Sequence, residues 1–390
     1  MNRDLVYTCD VSNARNNLSR NLFLYKRKLV INNANQDHSN TDIELEQRSR
    51  EIELRSHLTT ISWIYNENII KGFKVSYQCN YSMTQKSITY LADAQKLKQL
   101  KQLLDGQVLY TDFNNYYQFK SSLIQKEDVQ ISKYVQTETG ELKIVKMAKI
   151  NDQSKLQQDL KIVFELNQQK YKSILEIDEV YKDSNEIIFV MKYCRERNNA
   201  LEIEETKYIM KRLLKGVKHL HKLGIIHRDL KLDNIVLENQ NDLKSIKIID
   251  FGFAVEIGYQ TQVRCGTPGY IAPEILNQED YDELVDIYSL GSIFHSLLSG
   301  QKLYPEYQDK QHLIFLNKLN KVKVSSKIMD IEQRQLLLLM IGHKKHRPSA
   351  SLCLKHQFFR KGCIIPHPIE NQVKQLCFPN IKNPFKSKSF

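Results

Sequence analysis

The sequence lacks several features that would place the protein in a specialised class. Its longest apolar run, residues 336–341, is six residues long, whereas a helix that spans a bilayer needs about 20. The seven cysteines are scattered and include no C-x-x-C pair, which argues against a zinc knuckle or a disulfide framework and for a reducing compartment. The opening residues, MNRDLVYTCD, contain no apolar signal-peptide core, so we expect a cytoplasmic protein.

The chain also lacks a concentrated block of charge. Its 390 residues include 57 Lys and Arg against 45 Asp and Glu, a formal charge of +12. The positive residues are spread along the chain without the interleaved aromatic residues of a nucleic-acid-binding face, so we expect no nucleic-acid partner. With 41% hydrophobic and 26% charged residues, the composition predicts a globular protein of two or three domains.

Residues 1–112 contain several strand-like runs, and a helical pattern follows them. The strand-like runs are residues 22–31, 58–65, 73–77 and 87–91. Leu97, Leu100 and Leu104 then recur at helical spacing, and Gly106 can end that helix. The pattern predicts a small α+β domain over residues 1–112.

Several strands followed by one amphipathic helix resemble a pleckstrin-homology-type domain. The pieces that carry the resemblance are RNLFLYKRKLVI (20–31) and SITYLADAQKLKQLKQLL (87–104). The family's usual Trp in the last helix is absent, since Trp63 is the only tryptophan, and a generic small α+β domain is the alternative. Lys26, Arg27 and Lys28 are candidates to meet an anionic membrane lipid, which would place the protein peripherally at a membrane; a solvated strand end or hairpin is the other interpretation.

From about residue 118 the pattern changes to a second domain that extends to residue 359. Strand-like runs continue to about residue 191 and are interrupted by a helix near residues 154–167. Helical patterns dominate beyond residue 200, with an apolar stripe over residues 206–223. A small strand-rich lobe is thus expected to precede a larger helical lobe, and residues 360–390 read as a basic tail.

Three motifs in this region carry the chemistry. They are HRDLKLDN (227–234), KIIDFG (247–252) and CGTPGYIAPE (265–274). In this order the motifs resemble the eukaryotic protein kinase superfamily, its serine/threonine branch, and within it the calcium/calmodulin-dependent kinase-like group. The resemblance implies a bilobal α+β kinase fold that uses ATP and Mg²⁺ to phosphorylate Ser or Thr in a protein substrate.

Phosphoryl transfer requires groups that position the phosphate and neutralise its charge. Asp250 and Asn234 supply the oxygen donors that Mg²⁺ prefers. Asp229 lies five residues before Asn234 and suits the carboxylate that orients the substrate hydroxyl and accepts its proton. Lys231 can reach the transferring phosphate, and together with Thr267 it resembles serine/threonine rather than tyrosine specificity.

The resemblance also assigns a nucleotide site. Lys146 is the expected contact to the α and β phosphates, with Lys149 as its rival, because strand alternation places Lys146 on the face of Leu142 and Ile144. The remaining nucleotide-binding candidates are Ile124, Ile131, Ile144, Met191, Lys192, Cys194, Val236 and Asp250.

The small lobe departs from the family pattern in three places. The segment that aligns with the glycine-rich loop, residues 124–131, has no glycine, although glycine lets backbone amides approach phosphates closely. Ile144 stands where a small Ala is usual, and Asp159 stands where the lysine's partner is usually Glu. An active kinase and a catalytically weak pseudokinase scaffold are therefore the two hypotheses. The intact set of polar residues at Asp229, Lys231, Asn234 and Asp250 favours the active kinase.

Other residues of the motifs are expected to support the site. By resemblance, Glu274 pairs with Arg347, and Asp286 braces the catalytic loop. Arg228 is expected to dock a phosphate on the following segment, where Thr261 is the candidate, and a loop ordered without phosphate is the alternative.

Overall fold

The computed structural model describes residues 5–33, 49–67, 69–78, 83–194, 202–239, 242–259, 264–305 and 309–360. The chain divides into two compact units. The first contains Met1–Gln168 and Glu176–Lys192, and the second contains Gln169–Leu175 and Tyr193–Phe390. No helix within the described ranges combines the length and the apolar character needed to cross a bilayer.

The first unit begins with seven antiparallel strands. Their bounds are Leu5–Asn13 (β1), Ser19–Tyr25 (β2), Lys28–Asn33 (β3), Ser49–Glu53 (β4), Thr60–Asn66 (β5), Ile69–Gln78 (β6) and Gln85–Leu91 (β7). The side chains alternate as expected for a half-buried sheet: in β5, Ile61 and Trp63 are buried and their neighbours are not. β1 pairs with both β2 and β7, so the first strand of the series also contacts the last.

Helix α1, Ala94–Leu104, follows these strands and confirms the helix predicted from leucine spacing. The Asp93 carboxylate caps it by accepting hydrogen bonds from the amides of Gln95 and Lys96, at 2.9 and 3.2 Å. Leu97, Leu100 and Leu104 are buried against the sheet.

The strand predicted over residues 22–31 is wrong, because the chain turns inside it. Residues 26 and 27 form the turn between β2 and β3, and Lys28 pairs with Glu51 at 2.8 Å across β3 and β4. Both arms carry apolar residues, so periodicity alone did not reveal the turn. The pattern also missed β1, whose exposed residues at Leu5 and Val6 weaken the alternation.

The remainder of the first unit adds six strands and one helix. These are β8 (Leu109–Tyr110), β9 (Tyr117–Gln125), β10 (Val129–Gln136), β11 (Leu142–Lys149), α2 (Gln153–Gln168), β12 (Ile177–Lys182) and β13 (Glu186–Lys192). The two-residue strand β8 pairs in parallel with both β5 and β12. Through β8, thirteen strands of the described chain form one continuous sheet in the order β4-β3-β2-β1-β7-β6-β5-β8-β12-β13-β11-β10-β9.

The two faces of the β9–β13 part of the sheet have different neighbours. Val145, Ile188 and Val190 are buried in the same apolar cluster as the N-terminal domain. Ile187 on the opposite face packs with Leu160 and Phe164 of α2. The boundary predicted between residues 112 and 118 therefore falls inside one compact unit and one sheet.

The second unit is mainly helical. Its helices are α3 (Ile203–Lys222), α4 (Pro273–Leu276), α5 (Leu284–Ser299), α6 (Lys310–Lys318), α7 (Ile331–Met340) and α8 (Ala350–Cys353). Four short strands of the described second unit form two antiparallel pairs, β14 (Ile225–Ile226) with β17 (Val255–Glu256) and β15 (Ile235–Leu237) with β16 (Ile246–Ile248). α5 is buried along its length, including its serines, Asp286 and His295, as expected for the central helix of a helical core.

Candidate active site

A buried polar cluster surrounds Asp229 in the loop between β14 and β15. The Thr267 hydroxyl donates a hydrogen bond to Asp229 Oδ1 at 2.7 Å and accepts one from Lys231 Nζ at 2.8 Å. Lys231 Nζ also lies 2.9 Å from Asp229 Oδ2. The segment that holds Thr267 is 38 residues away in sequence, so tertiary folding brings the predicted catalytic pair together with this hydroxyl.

Asp286 on α5 holds the backbone of this loop. Its carboxylate accepts hydrogen bonds from the amides of His227 and Arg228, each at 2.9 Å. His221 Nε2 lies 3.0 Å from the same carboxylate. Burial by itself would raise the pKa of Asp286, but the hydrogen bonds from His221 and from the His227 amide, together with the electrostatic effect of these two residues, outweigh it and hold the pKa below its ordinary value. An ionised Asp286 thus fixes the loop as the resemblance implied.

Asn234 and Asp250 lie at the same end of the β15–β16 pair. Asn234 directly precedes β15, and Asp250 follows β16 with Ile249 bonded to the Asn234 carbonyl at 3.0 Å. Asn234 Nδ2 is committed to the Asp229 carbonyl at 2.8 Å, and its Oδ1 accepts no hydrogen bond within the described residues. A carboxylate and an amide oxygen are donors that suit Mg²⁺.

Arg228 has partners other than a phosphate. Its Nε donates to the Phe253 carbonyl at 2.6 Å, and its Nη1 donates to the Tyr281 hydroxyl at 2.8 Å. Sequence reasoning did not find Tyr281, since nothing in its local pattern marks it. Thr261, the predicted phosphate acceptor, lies outside the described residues. Docking of a phosphate by Arg228 and a loop ordered without phosphate therefore both stay predictions.

Two further contacts support the segment that follows. Arg347 forms a bidentate pair with Glu274, with Nη1–Oε1 at 2.5 Å and Nη2–Oε2 at 3.2 Å, as predicted by resemblance. The buried Asn317 of α6, which sequence reasoning missed, accepts from the Gly269 amide at 2.9 Å and donates to the Ile271 carbonyl at 3.0 Å. The two hydrogen bonds of Asn317 hold the backbone that follows Thr267, and the Arg347–Glu274 pair holds the next few residues.

In the first unit, five of the predicted nucleotide-binding side chains share one face of the sheet. Ile124 is paired with Ile131, and Ile131 with Lys146, across neighbouring strands. Ile144 lies two residues before Lys146 and is paired with Met191. Directly paired residues point to the same face, so the structure brings these five together in the first unit. This is the face that packs on α2.

Burial distinguishes Lys146, the expected phosphate contact, from its rival Lys149. Lys146 is half-buried on β11, whereas Lys149 is exposed and lies 4.0 Å from Asp128. Asp159 is half-buried on α2. Glu165, the other carboxylate of α2, is a poorer candidate for the lysine's partner because its spacing would disrupt the apolar pattern that follows.

The glycine-free hairpin between β9 and β10 closes in a tight turn. The Lys126 amide donates to the Val129 carbonyl at 2.9 Å, and no residue of the turn has a positive φ angle. The backbone therefore closes on itself with ordinary φ values, which explains how the strands can turn without glycine.

The last three nucleotide-binding candidates lie in separate places. Lys192 ends β13 in the first unit. Cys194, half-buried, and Val236, buried on β15, belong to the second unit. The predicted nucleotide-binding residues are thus divided between the two units.

Comparison with protein families gives a clear match. Residues 128–359, more than half of the chain, match the family model described as the protein kinase domain.

Curated relatives carry serine/threonine kinase names. The chain is 33% identical over 233 residues to serine/threonine-protein kinase polo of Drosophila melanogaster, which covers 56% of this chain and 39% of that protein. It is 34% identical over 209 residues to probable serine/threonine-protein kinase 2 of Plasmodium falciparum, covering 48% and 39%. It is 31% identical over 207 residues to serine/threonine-protein kinase PLK4 of Danio rerio, covering 50% and 21%. The chain therefore spans well under half the length of these relatives.

A solved structure shares the fold. The autoinhibited serine kinase domain of the giant muscle protein titin superposes with a TM-score of 0.55 at 21% identity, covering 64% of this chain and 82% of that one.

Proposed function

The chain belongs to the protein kinase family, and we propose that it transfers the γ-phosphoryl group of ATP to serine or threonine hydroxyls of protein substrates. The observation that carries this proposal is the cluster of Asp229, Lys231 and Thr267, held at 2.7–2.9 Å from one another. Asp229 and Lys231 are buried and Thr267 is half-buried, and a carboxylate beside a cation is what positioning and charge neutralisation in phosphoryl transfer require.

Each residue of the cluster has a distinct role in this proposal. Asp229 orients the substrate hydroxyl and accepts its proton as the phosphorus–oxygen bond forms. Lys231 neutralises charge on the transferring phosphoryl group. The Thr267 hydroxyl keeps both side chains in place.

Asn234 and Asp250 would hold Mg²⁺, because their oxygens lie at one end of the β15–β16 pair and suit a hard cation. The metal would supply charge neutralisation at the phosphates. Lys146 would contact the nucleotide's α and β phosphates, and Ile124, Ile131, Ile144 and Met191 would offer the base an apolar surface. By the family resemblance, the backbone of Lys192 and Cys194 would face the adenine edge, and Val236 is a further nucleotide-binding candidate.

The absent glycines remain the argument for the second hypothesis, a pseudokinase that acts as a signalling scaffold. The polar residues of the second unit argue against it: Asp229, Lys231 and Asn234 are buried next to one another, and placing polar groups in a buried site is costly even when they are paired.

Phosphoryl transfer is tested with the whole chain, Mg·ATP labelled at the γ-phosphate and a generic basic protein. We expect incorporation on Ser and Thr that falls to background in Asp229→Asn and Asp250→Asn. A shift of the unfolding midpoint by Mg·ATP provides a second measurement, since saturation at 100 Kd adds about 2.7 kcal/mol of stability. Incorporation by the wild type equal to that of Asp250→Asn would refute the enzyme, and a nucleotide shift without incorporation would favour the scaffold.

For the N-terminal domain we propose a pleckstrin-homology-type fold that binds anionic lipid. Its support is the seven-stranded antiparallel series, in which β1 pairs with β7, followed by α1. Lys26 and Arg27 form the exposed β2–β3 turn, and such a turn can approach phosphate headgroups. Binding of this kind would place a cytoplasmic protein at the membrane surface. The likeness to the calcium/calmodulin-dependent kinase group stays a prediction, since the curated relatives named above are polo and other serine/threonine kinases.

Vesicle co-sedimentation of the whole chain tests the lipid. We expect binding that needs anionic lipid, weakens with salt and is lost in Lys26→Glu/Arg27→Glu. The control is Lys318→Glu/Lys321→Glu, which makes the same charge change on exposed residues of the second unit. Equal loss in both variants would mean that general positive charge, and not this turn, is responsible.

A further inference from the structure

One buried side chain joins α2 to the N-terminal domain. Asn167, in the last turn of α2, donates from Nδ2 to the Gly106 carbonyl at 2.7 Å and to the Ile177 carbonyl at 2.8 Å. Its Oδ1 accepts from the Ile177 amide at 3.0 Å. Because Asn167 is 4% exposed, these bonds are shielded from water. A single amide thus connects the helix, the start of β12 and the turn after α1.

Gly106 is shaped for this contact. Its φ angle is +66°, which favours glycine. A Cβ atom at this position would lie 2.2 Å from Asn167 Nδ2 and 2.3 Å from the Ile177 carbonyl oxygen. Any side chain at residue 106 would therefore push α2 or β12 away. The helix-ending role predicted for this glycine accounts for its φ angle but not for the close approach.

Apolar packing makes the same connection. Leu109 of β8 is fully buried in a cluster with Leu156, Leu160 and Phe164 of α2. β8 extends the sheet beyond β12, so α2 rests partly on a residue of the segment that links the two domains. The position of α2 on the sheet is therefore set in part by residues outside the region that matches the kinase family.

We propose that the N-terminal domain is a built-in positioning element for α2, and through α2 for Asp159, with Gly106 and Asn167 as positioning residues. The inference rests on the proposed phosphoryl transfer and on the family resemblance, by which Asp159 on α2 stands at the place of the expected partner of Lys146 on β11. Asp159 has one methylene fewer than the Glu usual at this place, so the helix must lie closer to the sheet. A contact that holds its C-terminal turn limits the distance over which that carboxylate can move.

The test compares two glycine substitutions in the whole chain. Gly106→Ala introduces the Cβ that meets Asn167, and Gly140→Ala is its matched control, because Gly140 has a φ angle of +70° with nothing within 4 Å of the new Cβ. Both variants carry the same backbone strain, and only the first displaces α2. Asn167→Ala removes the contact from the helix side, with the buried Leu24→Ala of β2 as its control for general loss of stability.

Two readouts are measured well below the unfolding midpoint: hydrogen exchange of the α2 amides and steady-state kinetics. We expect Gly106→Ala and Asn167→Ala to raise α2 exchange. They should also lower kcat/KM for ATP about 10- to 100-fold, since misplacement by about 1 Å can cost about a hundredfold. The KM for the protein substrate should not change. Gly140→Ala and Leu24→Ala should leave α2 exchange and kcat/KM near the wild-type values.

Two results would overturn the proposal. One is a Gly106→Ala variant that matches Gly140→Ala in both readouts. The other is raised α2 exchange with unchanged kinetics, because the helix would then be tied without consequence for the reaction. If the wild type transfers no phosphate above the Asp250→Asn background, the proposed kinase function is refuted. In that case hydrogen exchange of the α2 amides alone decides whether the Gly106–Asn167 contact holds the helix.

Discussion

Removing the Lys101 ammonium should destabilise the first unit strongly, because this cation neutralises a buried carboxylate. Lys101 of α1 forms ion pairs with Glu179 of β12 and, at 2.9 Å, with Asp105. The Lys101 side chain is 19% exposed and that of Glu179 is 7% exposed. Burial by itself would lower the pKa of Lys101, but the two carboxylates outweigh it and raise the pKa. Lys101 is therefore charged in the folded state.

The expected loss of unfolding free energy follows from the interactions that Glu179 keeps after Lys101 is replaced. In Lys101→Met, Glu179 stays buried and keeps only the hydrogen bonds donated by the Tyr117 and Tyr181 hydroxyls, each at 2.7 Å. Breaking a buried pair by removing one partner costs about 3–5 kcal/mol. The exposed pair of Lys28 with Glu51, with side chains 46% and 61% exposed, is the control, and its loss should cost at most about 1 kcal/mol.

Urea unfolding followed by far-UV circular dichroism measures both variants. The double variant Lys101→Met/Glu179→Gln should recover part of the loss, because a neutral amide needs no cation and its oxygen can still accept from the tyrosines. If Lys101→Met costs no more than Lys28→Met, the pair contributes nothing net and the reasoning is refuted.

Three further predictions concern single groups. Burial raises the pKa of Asp105 to about 6 from 3.8. The folded protein therefore binds a proton at Asp105 more tightly than the unfolded chain does. The stability that protonated Asp105 contributes is present below about pH 4 and is lost as the pH rises through about 6. The unfolding free energy of the wild type minus that of Asp105→Asn should accordingly decrease between these pH values, and a constant difference would contradict the shift. Arg347→Met should cost about 3–5 kcal/mol in urea unfolding by leaving Glu274 buried without its partner; a loss below about 1 kcal/mol would argue against a structural role for the pair. Thr267→Val should lower kcat about 10- to 100-fold, since a hydrogen bond to the charged Asp229 is worth about 1.5–3 kcal/mol, whereas Thr267→Ser should keep most activity; equal loss in both would mean that the methyl group, and not the hydroxyl, matters.

The large-lobe motifs were readable from the sequence because their residues are close together. Asp229, Lys231 and Asn234 occupy one loop, and their spacing is set by backbone geometry. Their long-range partners followed only from family resemblance, as for Glu274 and Arg347. The Tyr281 contact to Arg228 and the Asn317 contacts to the 269–271 backbone could not be predicted, since they join segments that no local periodicity relates.

Local sequence determined the strands, the helices and the set of candidate polar groups, because strand alternation, helical spacing and capping depend on near neighbours. Only the tertiary structure decided that the N-terminal strands and the small-lobe strands form one sheet. That result depends on two residues of β8 pairing with strands far apart in the chain. Only the tertiary structure also decided that Gly106, which has no side chain, admits Asn167 of α2, because no pattern along a chain indicates which distant group fills such a space.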